Sequence, residues 1–550
     1  MKYNIFFIIK DINKNLSTIV YQSKYRKIII PFLFFVSYIL FYFLIDFSSQ
    51  SLVVHDEGLY ARRARLVAES DNWFSPPFST PHHKTIGSYW LIALSIKLLG
   101  NGELAVRLPS ILISFICLLL CFIIAKKIFN REIAIISLLS LSAMPLWIQY
   151  SRYSSPDITF VMFVLFVILF FINFIETVDP NKKNIFIFLA GFFSSIAFFI
   201  RSYMIIIPLI GLSPFILFNL WNSKYKYKFL FLSGLLSGLL PTFLNIFYAY
   251  LKHGDEGVSL LFEFAKNQAI GEFNISNLLL LPLNYFYLTF PIGLIFILLF
   301  ILNKPKYLPK FPLLVYYYPL ISFVLLVCMS KFYPHYFLFL LPSLAILLSH
   351  LIDSYSSNYF IQNKKINFIL ILVLSLLIFS LSILCVYYKP TLIEFSVIQV
   401  FIINSVLVTL IISYISSIVF IHRSKLIKTL DFKMLLIILI IPQYISLSLL
   451  YNFGIIGNPN LKIKKFLANN NVSSIITSNT IYLYDLDSKT ETLLSFYLPS
   501  SIVVNSFDDL VLDNFVITSK NNNLTSLSEI YRFKSISNSD NKFLLIKIRK

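Results

Sequence analysis

The chain has 550 residues, 57% hydrophobic and 17% aromatic, with only 13% charged and a mean hydropathy of +0.78. Soluble domains carry roughly 25% charged residues, so the composition excludes an ordinary soluble enzyme and predicts a polytopic α-helical membrane protein. The formal net charge of +20 then reads as loop anchoring and not as a nucleic-acid footprint, because Lys and Arg collect in the cytoplasmic loops of membrane proteins.

Residues 1–27 end in Lys24, Arg26 and Lys27 and read as a cytoplasmic segment. Apolar runs follow near 28–47, 104–125, 133–150, 158–176, 184–200, 203–221, 229–251, 278–302, 312–329, 336–352, 366–388, 396–420 and 434–452. They predict about thirteen transmembrane helices. Basic clusters follow every even-numbered run: Lys126, Lys127 and Arg131; Lys182 and Lys183; "KYKYK" (224–228); "KPKYLPK" (304–310); Lys364 and Lys365; and Arg423, Lys425, Lys428 and Lys433. That alternation predicts a transmembrane domain over 28–452, with the N-terminus inside, the C-terminus outside and a first outer loop at 48–103. From 453 onward the composition turns polar. Short β-branched runs such as "SIITS", "SIVVNS" and "NFVITSK" predict strands, so 453–550 reads as a small extracytoplasmic α/β domain. The four cysteines all lie in apolar runs and read as small buried hydrophobes, not as a disulfide framework.

The first outer loop breaks the composition. "HDEGLYARRARLVAESDNWFSPPFSTPHHKTIGSYW" (55–90) holds His55, His82 and His83, three of the chain's seven histidines. From Gly58 to Glu69 the apolar residues Leu59, Ala61 or Ala64, Leu66 and Val67 recur at helical spacing, with Arg62, Arg63, Arg65 and Glu69 between them. This pattern predicts an amphipathic helix lying in the outer interface. Asp56 and Glu57 stand at its start, where carboxylates cap backbone N–H groups. Helix capping alone accounts for an isolated Asp56, and snorkelling to head groups accounts for an isolated Lys84. Their company argues for more, since ionisable groups at membrane level are costly and usually functional. Tyr89 and Trp90 read as interfacial belt residues. His82 and His83 are adjacent, with no spaced His/Cys pattern around them, so a divalent metal is left open and no cofactor is required. Two further outer stretches add to the cluster. "SRYSSPDITF" (151–160) brings Arg152 and Asp157, and "SKFYPHYF" (330–337) brings Lys331 and His335.

These motifs, taken in order, resemble the GT-C fold glycosyltransferases of the lipid A aminoarabinose transferase and protein O-mannosyltransferase superfamily. The resemblance covers roughly residues 50–350. Asp56, Glu57, Tyr60 and Ala61 match the family's Asp-Glu…Tyr-Ala, and Lys84, Tyr89 and Trp90 its Lys before Tyr-Trp. Arg107, Pro109 and Ser110 match Arg-x-Pro-Ser, and Pro156 and Asp157 the Pro-Asp after the third helix. His83 stands where the family carries an acid, and Glu272 stands before Phe273 where relatives tend to have Arg. The resemblance implies a polyprenyl-phosphate-sugar donor used at the outer face of a bacterial inner membrane, with lipid A, another glycan or a protein as acceptor and membrane lipids as neighbours. Asp56 is then the catalytic acid/base and Asp157 a second catalytic acid. Lys84 binds the donor phosphate, helped by Arg62, Arg63 or Lys331, with Glu57, Tyr60, His83 and His335 completing the substrate site. The competing expectation is a transporter or flippase of a lipid-linked sugar. That class more often shows mid-membrane charges and internal repeats, and this sequence places its charges at helix ends and shows no repeat.

Overall fold

The computed structural model describes residues 51–53, 56–78, 84–269, 308–329, 333–356, 371–378, 396–424, 432–457, 461–504, 514–519, 532–539 and 543–549, with a few isolated positions between them. The apolar runs at 28–47 and 278–302, most of 366–388, and the residues His55, His82, His83, Glu272 and Lys331 lie outside these, as does the side chain of Asp56. All described residues fall in one unit, Ser48–Lys550.

Several helices begin at a recognisable signal, with Asn130 and Asp179 as caps and prolines in the first turns that follow Ser155 and Asp179. Two helices come from the first loop, α1 (Asp56–Glu69) and α2 (Gly87–Leu99). Next is α3 (Glu103–Ile128), closed by Lys126 and Lys127. The run expected as one helix over 133–150 is two, α4 (Arg131–Ser142) and α5 (Pro145–Tyr150). Pro145 forces Met144 into extended backbone (ψ 130°) and ends the first piece, as the residue before proline avoids the α region. Then come α6 (Pro156–Glu176) and α7 (Pro180–Arg201), each with proline in its first turn. A 3₁₀ turn, Ser202–Ile205, joins α7 to α8 (Ile206–Trp221). They are followed by α9 (Tyr225–His253) and α10 (Glu256–Ala269). The later membrane helices are α11 (Tyr318–Val327), entered through a π turn at Leu313–Tyr317, α12 (Leu341–Ser356), entered through a 3₁₀ turn at Pro334–Leu340, α13 (Val397–Ser424) and α14 (Phe432–Asn452).

Among the described residues six helical stretches are long and apolar enough to cross a membrane: Glu103–Ile128, Pro156–Glu176, Pro180–Trp221, Tyr225–His253, Pro334–Asp353 and Val397–His422. With the shorter apolar helices they make this a multi-pass membrane protein. Glycine sets the closest packing. A Cβ on Gly234 would lie 2.1 Å from the Phe188 carbonyl oxygen, and one on Gly238 2.4 Å from that of Phe192. The Gly-x-x-x-Gly spacing thus lets α9 and α7 touch backbone to backbone, the usual device where lipid is as apolar as the helices themselves.

After α14 the chain forms α15 (Leu461–Leu467), α16 (Asn470–Ser478), β1 (Ile481–Tyr484), α17 (Ser488–Tyr497), β2 (Ile502–Val504), β3 (Phe515–Ser519), β4 (Arg532–Ser539) and β5 (Phe543–Arg549). The sheet order is β2-β1-β3-β5-β4. Strands β1, β2 and β3 are parallel, and β5 pairs antiparallel with both β3 and β4. The run "SIITS", expected as a strand, is the end of α16. Val472 is fully buried there, and tertiary packing overrides a weak β preference. This sheet layer does not close a core of its own. Leu483, Leu493, Phe496, Ile517 and Leu545 share one apolar cluster with Tyr60, Ala64 and Val67 of α1 and Tyr89 and Ala93 of α2. The first loop is therefore sandwiched between membrane helices and sheet, and α1 does not lie free in an interface. Arg65, expected on its polar side, is buried and donates to the Phe496 carbonyl at 2.7 Å. Tyr89, expected in an aromatic belt, is wholly buried.

Candidate functional site

One end of the helix bundle gathers the ionisable side chains. It is formed by the first turns of α1 and α6, the last turn of α7, the approach to α2 and the 3₁₀ turn before α12. Pro156 starts α6 and puts Asp157 in its first turn, where the helix dipole favours a carboxylate. Asp157 pairs with Arg201, the last residue of α7, at 2.9 Å, and both are nearly buried. Arg201 reaches the Tyr60 hydroxyl at 3.4 Å and lies over the Tyr336 ring at 5.9 Å. Lys84 donates to the same Tyr60 hydroxyl at 3.4 Å, with its ammonium 5.6 Å from the centre of that ring. Two cations therefore meet at a single tyrosine hydroxyl, and one of them is paired with Asp157. Around them Tyr150 meets His335 Nδ1 at 3.2 Å, and the His335 ring packs edge-on to Tyr336. Arg63 donates to the Tyr89 hydroxyl and stands 5.6 Å from the Phe78 ring centre. An open cleft runs away from Lys84 between Phe74, Phe78, Tyr248 and Lys252.

A second knot lies beside this cluster. Glu57, fully buried, takes Arg107 in a bidentate pair at 2.9 and 2.7 Å. Its two oxygens also accept the Val53 and Ser154 N–H groups at 2.8 and 3.1 Å, and Arg107 reaches the Ser51 carbonyl. The pair thus ties the segment entering α1, which carries Asp56, to the loop entering α6, which carries Asp157. Tyr497 of α17 accepts the Leu52 N–H and donates to Glu103, each at 3.0 Å. Burial and the Glu103 carboxylate both push this phenol well above its ordinary range, so it keeps its proton and remains a donor. Lys464 closes on the same Glu103.

The sequence expectations are distributed as follows. Tyr60, Lys84 and Asp157 come together, and His335 borders them through Tyr336. Arg63 reaches the edge through Tyr89. Arg62 turns toward Glu491 of α17 and is half-buried; burial lowers its pKa and Glu491 raises it. Glu57 was expected to touch substrate. The structure instead walls it off, with both carboxylate oxygens occupied by Arg107 and backbone donors. Asp56 opens α1, one residue before Glu57. Arg201 and Tyr336 were not anticipated. The signal for Arg201 was available as a single arginine closing a 22-residue apolar helix at the membrane boundary. Among the described residues no three His, Cys, Asp or Glu side chains converge on a metal-sized site.

The architecture is that of a GT-C fold membrane protein. A family model described as dolichyl-phosphate-mannose-protein mannosyltransferase matches residues 83–248. The chain is 33% identical over 91 residues to undecaprenyl phosphate-alpha-4-amino-4-deoxy-L-arabinose arabinosyl transferase 2 of Pseudomonas fluorescens. It is 26% identical over 91 residues to the corresponding arabinosyl transferase of Pseudomonas aeruginosa. Each match covers 16% of this chain and 17% of the relative, so only about a sixth of those proteins is spanned. The crystal structure of ArnT from Cupriavidus metallidurans bound to undecaprenyl phosphate superposes with a TM-score of 0.71 at 15% identity, covering 94% of this chain and 97% of that one. The chain therefore has the fold of that protein and resembles the aminoarabinose and mannosyl transferase superfamily.

Proposed function

We propose that this protein is a membrane glycosyltransferase that moves a sugar from a polyprenyl-phosphate-sugar donor to an acceptor at the extracytoplasmic face of a bacterial inner membrane. The observation that carries this reading is the set Lys84–Tyr60–Arg201–Asp157 at one end of an apolar helix bundle, with Tyr60 and Asp157 buried. Transfer breaks the bond between sugar C1 and the lipid phosphate oxygen, and the electron pair leaves with the phosphate. Lys84 and Arg201 neutralise that charge, and cations held in place before the reaction need no reorganisation to do so. Asp56 takes the proton of an acceptor hydroxyl as its oxygen bonds to C1. A phosphate acceptor, as on lipid A, arrives ionised, and Asp56 then steadies positive charge on the sugar ring. Asp157 holds Arg201 in place and faces the sugar. The names of the relatives support an undecaprenyl-phosphate aminosugar as donor; the acceptor proposed from the sequence resemblance is lipid A-like, with other glycans and proteins as the alternatives. Purified protein given polyprenyl-phosphate carrying a labelled sugar should release free lipid phosphate as label appears on the acceptor. Movement of intact donor across a bilayer without its cleavage would favour a flippase.

The orientation belongs to the same proposal: thirteen crossings, N-terminus inside, site and C-terminal sheet outside. Lys127 and Lys310 meet Glu176 at the bundle end opposite the site, and basic side chains at that end suit the cytoplasmic face. A cysteine placed near residue 500 should react with an impermeant thiol reagent in intact spheroplasts, and one placed in 304–310 should not. The reverse pattern would overturn the orientation and the face assigned to the site.

A further inference from the structure

Lys84 and Arg201 come from parts of the chain more than a hundred residues apart, yet both approach one hydroxyl at 3.4 Å. Each is followed directly by a hydroxyl residue, Thr85 and Ser202, and these two are bonded to one another. The Thr85 N–H donates to Ser202 Oγ at 3.1 Å, and the two hydroxyl oxygens are 3.0 Å apart. Thr85 Oγ1 also donates to the Phe198 carbonyl at 3.2 Å. One assignment of protons satisfies all three contacts: the Ser202 hydroxyl gives its proton to Thr85, Thr85 gives its own to Phe198, and the Thr85 amide is accepted by Ser202. Both residues are buried, where such a chain of bonds cannot be replaced by water.

Ser202 holds this position in a strained backbone. Its φ is 52° with ψ −140°, and it is one of only two non-glycine residues with positive φ among those described. Glycine adopts that region freely and serine does not. Strain of this kind persists where the surroundings over-determine the residue, and it clusters at functional sites. Two residues past Thr85, Gly87 lies so close to α7 that a Cβ would sit 2.4 Å from the Phe199 ring. The whole stretch 85–87 is therefore buttoned onto the last turn of α7.

We propose that Thr85 and Ser202 are positioning residues that lock Lys84 and Arg201 into one two-cation clamp around the Tyr60 hydroxyl, and that this clamp takes the phosphate of the polyprenyl donor. The choice of anion rests on the function proposed above; the latch itself rests on the hydrogen bonds and the backbone. A serine kept in a glycine conformation gives the test its sign. Ser202→Gly removes the hydroxyl and relieves the strain. If Ser202 served only the fold, any effect would appear in the melting temperature, where lost hydrogen bonds and relieved strain oppose one another, and ligand would bind normally. If it sets the clamp, the variant stays folded while affinity falls.

The probe is undecaprenyl phosphate alone, titrated into detergent-solubilised full-length protein. Wild type should bind it. Ser202→Gly and Thr85→Val should each weaken binding about tenfold or more, with melting temperatures at or near wild type for Ser202→Gly. Thr85→Ser, which keeps the hydroxyl, should restore binding. In transfer assays the loss should fall on KM more than on kcat, since the reacting groups remain. Wild-type affinity in both Ser202→Gly and Thr85→Val would overturn the latch. Failure of the wild-type protein to bind undecaprenyl phosphate would instead overturn the proposed function and the ligand named here.

Discussion

Asp56→Asn should insert, fold and bind the donor lipid, yet transfer sugar at least about a hundredfold more slowly at matched membrane abundance. Asp56 opens α1, where a carboxylate or an amide caps a helix almost equally well, so a capping role predicts little change on substitution by Asn. Asn cannot accept a proton from a hydroxyl, nor offer full negative charge to a sugar ring losing its leaving group. Positioned acid–base groups contribute roughly a hundred- to ten-thousandfold in rate. The position is held on the C-terminal side by Glu57 and on the N-terminal side by the Leu52 and Val53 N–H bonds to Tyr497 and Glu57. Asp157→Asn should show a similar or smaller loss, since Asp157 is already engaged by Arg201. Transfer by Asp56→Asn at near wild-type rate, with abundance matched, would remove Asp56 from the chemistry.

The largest loss of stability is expected from Glu57→Gln. The Glu57 and Arg107 side chains are 0% and 5% exposed, and the carboxylate is the acceptor for two backbone amides besides the guanidinium. Removing one partner of a buried ion pair leaves the other charge uncompensated and costs about 3–5 kcal/mol. Because Glu57 joins the Asp56 segment to the Asp157 loop, surviving folded protein should also lose kcat more than donor affinity. Arg107→Met alone should be comparably harmful. The double variant should recover part of the stability, because neither charge is then stranded. Thermal melts of the four proteins form the cycle. Additive losses, with no recovery in the double variant, would show that the pair is not coupled.

How much of this was legible in the sequence depends on what each feature rests on. Helices such as Glu103–Ile128 and Pro156–Glu176 were plain, because a long apolar run opened by an acid or a proline and followed by a basic cluster has few alternatives. Lys84 and Asp157 could be named because ionisable groups at membrane level stand out against so apolar a background, whereas Tyr60 came from the family motif. Their spatial grouping was not readable from spacing. It depends on α7 returning Arg201 to the same end, and on the fold of the last hundred residues. Glu57 was assigned to the substrate site by the family motif alone, and spacing could not show that its carboxylate is taken up by Arg107, fifty residues away. Tyr89 misled as well. An aromatic pair beside a membrane helix looks like a belt until the fold packs Tyr60 and Phe78 against it. The α16 run "SIITS" shows that short β-branched stretches take whichever state their burial favours.

The shared core between the first loop and the final sheet bears on how the protein is made. α1 and α2 emerge from the ribosome before the residues that share their core, Leu493, Phe496 and Leu545, which lie far downstream in the chain. The membrane helices between them can insert one after another while that core is still incomplete. A chain cut after residue 457 would keep α1 and α2 but lack the later half of the core they share.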